Sequence, residues 1–228
     1  INMETGANKT KIKEARLDSF GTKIDIDGQL TNDFPSFDLN FIASNIDISS
    51  FMSKTFGFKP IIGQFNATGG LSSSGASIRE IVKNLRGKFG IVSRGFLTSG
   101  FDVASLSLNM PKIKRIEQSE AVGKYFLNSG KTEFGGMSSY IQISAGIISF
   151  DNISLSNPVL RSTLLKGNID LNNWTMELES TLGLISADNI QVNIPLKTIS
   201  QKIPETQLIW DYNGIVKYWE DKFYGGRI

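Results

Sequence analysis

The sequence predicts a mainly β protein: an antiparallel meander with a few short amphipathic helices. Polar and apolar residues alternate in short runs from one end of the chain to the other, the pattern of strands with one buried face. Turn-forming pairs separate these runs at short intervals, which favours hairpins over long crossovers. Helical periodicity is confined to a few brief stretches.

Taken in order, residues 23–30 alternate and end on the turn cluster Thr31-Asn32-Asp33, and residues 38–41 repeat the device. A short helix starting near Ser49 or Ser50 would place Phe51, Met52, Thr55 and Phe56 on one face. Ser77-Ile78-Arg79-Glu80 has capping-box spacing: Ser77 serves the third helical N–H and Glu80 reaches back. Ile78, Ile81, Val82 and Leu85 follow at helical spacing, and Gly87 is the expected left-handed stop, giving a helix over 77–86. A strand pair is expected over 89–92 and 95–103. A third helix spans about 116–129, with Val122, Tyr125 and Phe126 as its apolar side and Gly130 at its end.

Alternation resumes at 140–145, 152–156, 174–179 and 189–194, with turns at Asp151-Asn152, Asn157-Pro158, Gly167-Asn168, Asn172-Asn173 and Asp188-Asn189. The tail 214–224 reads as a fourth helix with Ile215, Trp219 and Phe223 in register. No long linker divides the 228 residues, so a single domain over 1–228 is expected, softest near 109–131.

Composition removes most catalytic chemistries. The chain has no histidine and no cysteine, so imidazole bases, Ser-His-Asp triads, thiol nucleophiles, thiolate metal sites and disulfides are excluded. Carboxylate-only, Lys-based and Ser-Lys chemistries remain. The 24 basic and 22 acidic residues are interspersed, leaving no charge block to grip nucleic acid. No apolar run approaches the ~18 residues that span a bilayer. The first residues lack the basic-then-apolar pattern of a signal peptide, and Met stands third, so the chain is expected to be a segment of a longer protein.

Gly130-Lys131-Thr132 has the tail of a phosphate loop, but Tyr125 occupies the position where that motif needs its first glycine. Gly69-Gly70, Gly135-Gly136 and Gly225-Gly226 are expected at turns or bulges. Asp25/Asp27 and Glu177/Glu179 each share a strand face opposite the apolar one and read as solvated. The sequons at Asn66 and Asn152 are no more than an Asn- and Ser-rich chain produces by chance. Phe126, Trp174, Trp210 and Trp219 lack interleaved basic residues and are assigned to core or interface packing rather than to stacking on bases or sugars.

The order of several pieces resembles the C-terminal region of AsmA-like envelope proteins, over roughly residues 17–185. Residues 63–75 form a small-residue strand that leads into the Ser77 helix and Gly87. Gly100-Phe101-Asp102 then ends the strand pair, followed by Thr132-Glu133-Phe134, Gly146-Ile147-Ile148 and Gly167-Asn168-Ile169-Asp170-Leu171. Upstream, Asp38-Leu39-Asn40-Phe41 and Ile46-Asp47-Ile48 are similar to the element before the family's short helix. The aromatic end after about 205 has no counterpart.

The resemblance implies a bent β-groove, open sandwich or half-barrel with an apolar concave face. It further implies a Gram-negative periplasmic location, an inner-membrane anchor outside this chain, and a role in outer-membrane biogenesis and lipid transport. It implies no catalytic residue, cofactor or metal. The expected ligand is lipid acyl chains, and the candidate groove residues are Ile24, Ile26, Leu39, Phe41, Ile141, Ile143, Ile153, Leu155, Met176 and Leu178. Two other readings stand beside it: a scaffold contacting outer-membrane assembly proteins, and a carboxylate-based carbohydrate enzyme. Unpaired strand edges would also permit self-association.

Overall fold

The computed structural model describes residues 2–19, 22–31, 35–50, 53, 61–199 and 207–225. Within them the chain forms one bent, open antiparallel sheet of thirteen strands with a few short helices. The strands are β1 (Asn2–Thr5), β2 (Lys9–Ser19), β3 (Thr22–Thr31), β4 (Ser36–Asp47), β5 (Ile61–Ser74), β6 (Arg86–Ser99) and β7 (Lys131–Phe134). They continue with β8 (Met137–Ser144), β9 (Ile147–Ser154), β10 (Leu160–Asp170), β11 (Thr175–Ile185), β12 (Gln191–Ile199) and β13 (Gln207–Trp210). The helices are α1 (Ile78–Lys83), α2 (Val103–Asn109), α3 (Ser119–Leu127) and α4 (Asn213–Tyr224). Strand order follows chain order, except that β7 branches off and pairs with the end of β6 while β8 pairs with its beginning.

The alternation dictates this layout, and bulges bend it. In β4, Ala43 pairs with Ala67 and Ile46 with Phe65, so the two residues Ser44 and Asn45 face the single Asn66. Asn45 turns to φ 58, and its N–H donates to the Asn66 side-chain oxygen at 3.0 Å. In β9, Asp151 and Asn152 likewise face Lys166 alone, with Asn152 at φ 55. β2 and β6 carry comparable register shifts. Each extra residue raises the local twist and curves the sheet. Both sequon asparagines thus have backbone roles, and Asp151-Asn152 is a bulge inside β9 rather than the expected turn.

Helices α2, α3 and α4 cover one end of the apolar sheet face. Asp102 caps α2 by accepting from the Ser105 N–H at 2.8 Å. Thr132 on β7 locks the entry: its hydroxyl donates to the Phe101 carbonyl at 2.8 Å and accepts from the Val103 N–H at 3.2 Å. Ser107 donates to the Ile185 carbonyl at 2.6 Å, and Trp219 Nε1 donates to the Met110 carbonyl at 2.9 Å. Val103, Leu106, Met110, Leu127, Leu184, Ile194, Ile215 and Trp219 have no exposed surface. With Phe65, Phe96, Phe134 and Trp210 they form one cluster joining β5–β7 to β10–β13. The stretch 109–131 therefore holds part of the core.

Several expectations change. The expected strand pair 89–92 and 95–103 is one continuous strand, β6, which stops at Ser99 because Gly100-Phe101-Asp102 leads into the N-cap of α2. Helix α1 ends at Asn84, and Gly87 lies in β6 instead of stopping the helix. Ser77 caps Glu80 as expected, while the Glu80 carboxylate reaches the Ala76 N–H at 2.8 Å. Ile78 is 82 % exposed and Tyr125 67 %, so neither joins its helix's buried side. Gly69 and Gly70 lie inside β5, away from any turn or bulge.

Gly135-Gly136 does connect two strands, and Gly225 caps α4. The fourth helix forms with Ile215 and Trp219 buried and Phe223 packed against the cluster. Residues 48–50 and 53 are helical. Phe51, Met52, Thr55 and Phe56 lie outside the described residues, as do Asn32, Asp33 and Gly226.

Candidate functional site: an apolar trough across the strands

Among the described residues, no second layer of secondary structure lies over the middle of this sheet face, between α2–α4 at one end and α1 at the other, where Ser73 on β5 donates to the Ile81 carbonyl. Residues directly opposite on antiparallel strands point to the same face, so register defines transverse rows. One row runs Ala15, Ile26, Phe41, Gly69, Phe89, Ile141, Phe150, Gly167, Leu178 from β2 to β11. The next runs Ile12, Gly28, Leu39, Leu71, Gly87, Ile143, Ile148, Ile169, Met176 across the same strands. Every position in both rows is apolar or glycine. At about 4.8 Å per strand, each row is on the order of 38 Å long.

Two glycines interrupt the large side chains of each row, Gly69 and Gly167 in the first and Gly28 and Gly87 in the second, and keep the floor low there. A Cβ on Gly69 would stand 2.2 Å from the Lys88 carbonyl and 2.4 Å from Phe89 Cβ, so no other residue fits there unchanged. Phe41 and Phe89, on either side of Gly69, tilt toward each other with centroids 6.0 Å apart. At Gly167 a Cβ would stand 2.3 Å from the Glu177 carbonyl and 2.8 Å from Leu178 Cδ2.

The ten expected groove residues fall into three groups. Ile26, Phe41, Ile141 and Leu178 share the first row and are half-buried; Leu39, Ile143 and Met176 share the second, where Ile143 is buried. Ile24 begins a third row with Ala43, Ala67, Ile91 and Ser139. On the other half of the sheet, buried Ile153 pairs with Leu165, which pairs with Ser180. Leu155 lies past the end of β9 and packs against the helix-covered core, away from the trough. Sequence reasoning missed Phe89, Leu71, Ile148, Phe150 and Ile169. The usable signal was glycine standing in for an apolar residue in the alternation, as in Gly167-Asn168-Ile169.

The opposite face is polar. Asn40 Nδ2 donates to Asp27 at 3.2 Å, Asn168 Nδ2 to Glu177 at 3.3 Å, and Lys166 pairs with Glu179 at 2.8 Å. The Lys166 hydrogen bond holds the Glu179 carboxyl below its ordinary range. Among the described residues no group of three or more Asp or Glu could hold a metal ion, and no helix is long and apolar enough to cross a membrane. Trp210 and Trp219 are buried and Phe126 packs on the core, whereas Trp174 sits in the β10–β11 turn at φ 54 with 48 % exposure, outside the core. Gly130-Lys131-Thr132 joins α3 to β7, and Thr132 serves the α2 entry described above.

A polar latch fixes the helical end. Asp188, in the β11–β12 turn, accepts from Tyr218 Oη at 2.6 Å and from Lys222 Nζ at 2.7 Å, both on α4, and also from Ser186. Burial alone would raise the Asp188 carboxyl, but these hydrogen bonds prevail and hold it at about 2. Comparison with known protein families, with characterised proteins and with solved structures finds no match.

Proposed function

We propose that this chain is a non-enzymatic lipid-handling module that holds acyl chains along the trough. One observation carries the reading: two adjacent rows cross the sheet from β2 to β11 without a polar side chain, on a face that α2–α4 cover at one end. An apolar sheet face requires cover from a second sheet, helices or a ligand. Each CH₂ kept out of water is worth about 0.8 kcal/mol, so a lipid can leave a bilayer only for a surface that covers its chains as this one can, an exchange of one apolar surrounding for another. The rows offer no hydrogen-bonding side chain to fix a guest at one point, which suits sliding better than tight capture. The resemblance to AsmA-like proteins agrees with this reading and adds its setting, a periplasmic segment of a membrane-anchored protein serving outer-membrane biogenesis.

Site-specific photocrosslinking in cells tests it. A photoreactive side chain at Phe89 or Phe150 yields lipid adducts, and one at Lys88 on the polar face does not. Equal labelling of both faces, or protein adducts alone at Phe89, overturns the proposal; the second result favours the scaffold reading.

A further inference from the structure

The polar face holds a second feature that the lipid reading does not use. Tyr140, in the middle of β8, is 84 % exposed, although it sits in the interior of the sheet with β6 on one side and β9 on the other. Its partner on β6 is Gly90, and the tyrosine ring leans across that backbone, 3.7 Å from where a Cβ would stand. Beside it is a hollow of about 380 Å³ lined by Lys88, Gln142, Ser149 and Asp151, together with Ile141 and Phe150. Lys88, Gln142 and Ser149 form one transverse row by register. None of the four polar side chains makes a hydrogen bond or ion pair among the described residues, although neighbouring Lys166, Glu179, Asn168 and Glu177 on the same face are paired.

We propose that this hollow binds a neutral saccharide, one sugar ring stacking its C–H face on Tyr140 while its hydroxyls bond to Gln142, Ser149, Lys88 and Asp151. The chemistry selects this ligand class over the others. A sugar ring offers an apolar face and a rim of hydroxyls that both donate and accept, matching an amide, a hydroxyl, an ammonium and a carboxylate around an aromatic plate. A nucleotide could stack on the ring, but Lys88 and Lys166 are set against Asp151 and Glu179, which leaves its phosphates no net positive field. An acyl chain would leave four polar groups desolvated without partners. An added peptide strand needs a sheet edge, and β6, β8 and β9 are interior.

Titration of the full chain with chitohexaose, cellohexaose and maltohexaose, read by calorimetry and by ligand-observed NMR, tests this. At least one saturates a single site. Tyr140→Ala weakens that binding at least tenfold, Gln142→Ala about threefold to tenfold, and Tyr140→Phe, which keeps the plate, less than threefold. Tyr140 is exposed enough that its removal leaves the melting temperature unchanged, so a loss of binding is not a loss of fold. Absence of saturable binding to all three sugars overturns the proposal, as does binding that survives Tyr140→Ala. Acyl-chain crosslinking at Phe89, on the other face, is unaffected by any of these variants, which keeps this outcome separate from that of the lipid reading.

Discussion

Strand β11 passes through both halves of the apolar face. At one end Leu182 and Leu184 lie under the helices and are 2 % and 0 % exposed; a few residues earlier Leu178 and Met176 point to the same side and stay half-buried. The alternating pattern is equivalent in the two places. What differs is the second layer, supplied at one end by chain segments from around 103–127 and 213–224, whereas no described helix or strand lies over Leu178 and Met176. Strand periodicity therefore fixes which way a side chain points, and only distant packing decides whether it is sealed.

A matched isoleucine pair sharpens this contrast most. Ile194→Ala, under the helices, should lower unfolding free energy by about 2–5 kcal/mol, and Ile141→Ala, in the trough, by about 1 kcal/mol, both read by urea denaturation. Equal losses would mean that the trough is as sealed as the plugged end. Gly69→Ala should cost about 1–3 kcal/mol although it adds a single methyl to an open face, because that carbon meets the backbone of β6. A neutral result would show that the sheet can flatten there.

The latch on α4 gives a pH signature confined to the plugged end. Asp188 has a folded value near 2, below its ordinary 3.8. Its stabilisation is thus complete above about pH 4 and lost as pH falls toward 2. Solvent around this partly exposed pair screens the effect, which is on the order of 1 kcal/mol. Asp188→Asn should flatten that part of the acid unfolding curve, and amide exchange in α4 should speed up between pH 4 and 2 relative to its rate at neutral pH. The smallest effect belongs to the exposed helix at the open end: Ser77→Ala removes the α1 cap for about 0.5–1 kcal/mol and should leave the urea midpoint almost unmoved.

The same contrast explains what could be read in advance. Strand runs such as 38–41 and 140–144 were legible because alternation is local, and α4 because Ile215, Trp219 and Phe223 keep helical spacing. Helix α2 was not. Its sequence Val103-Ala104-Ser105-Leu106-Ser107-Leu108 alternates like a strand, and it is the Asp102 cap with the Thr132 lock, 30 residues further along, that makes it helical. The groove list caught seven members of the two long rows but included Leu155, because a period of two cannot show where β9 stops. It left out Phe89 and Phe150, whose place depends on register with partners elsewhere in the chain.

Because the strands succeed one another in chain order, the body is nearly one-dimensional, each strand leaning on its predecessor and successor as repeats do in a solenoid. Such a ribbon can zip up from hairpins and fray from its rims inward. Among the described residues the helical cluster is the clasp between distant parts of it, tying β5–β7 to β10–β13. Protection against exchange should accordingly rise toward the clasp and fall away toward β1, so that the molecule unravels from its first strands long before its last helix lets go.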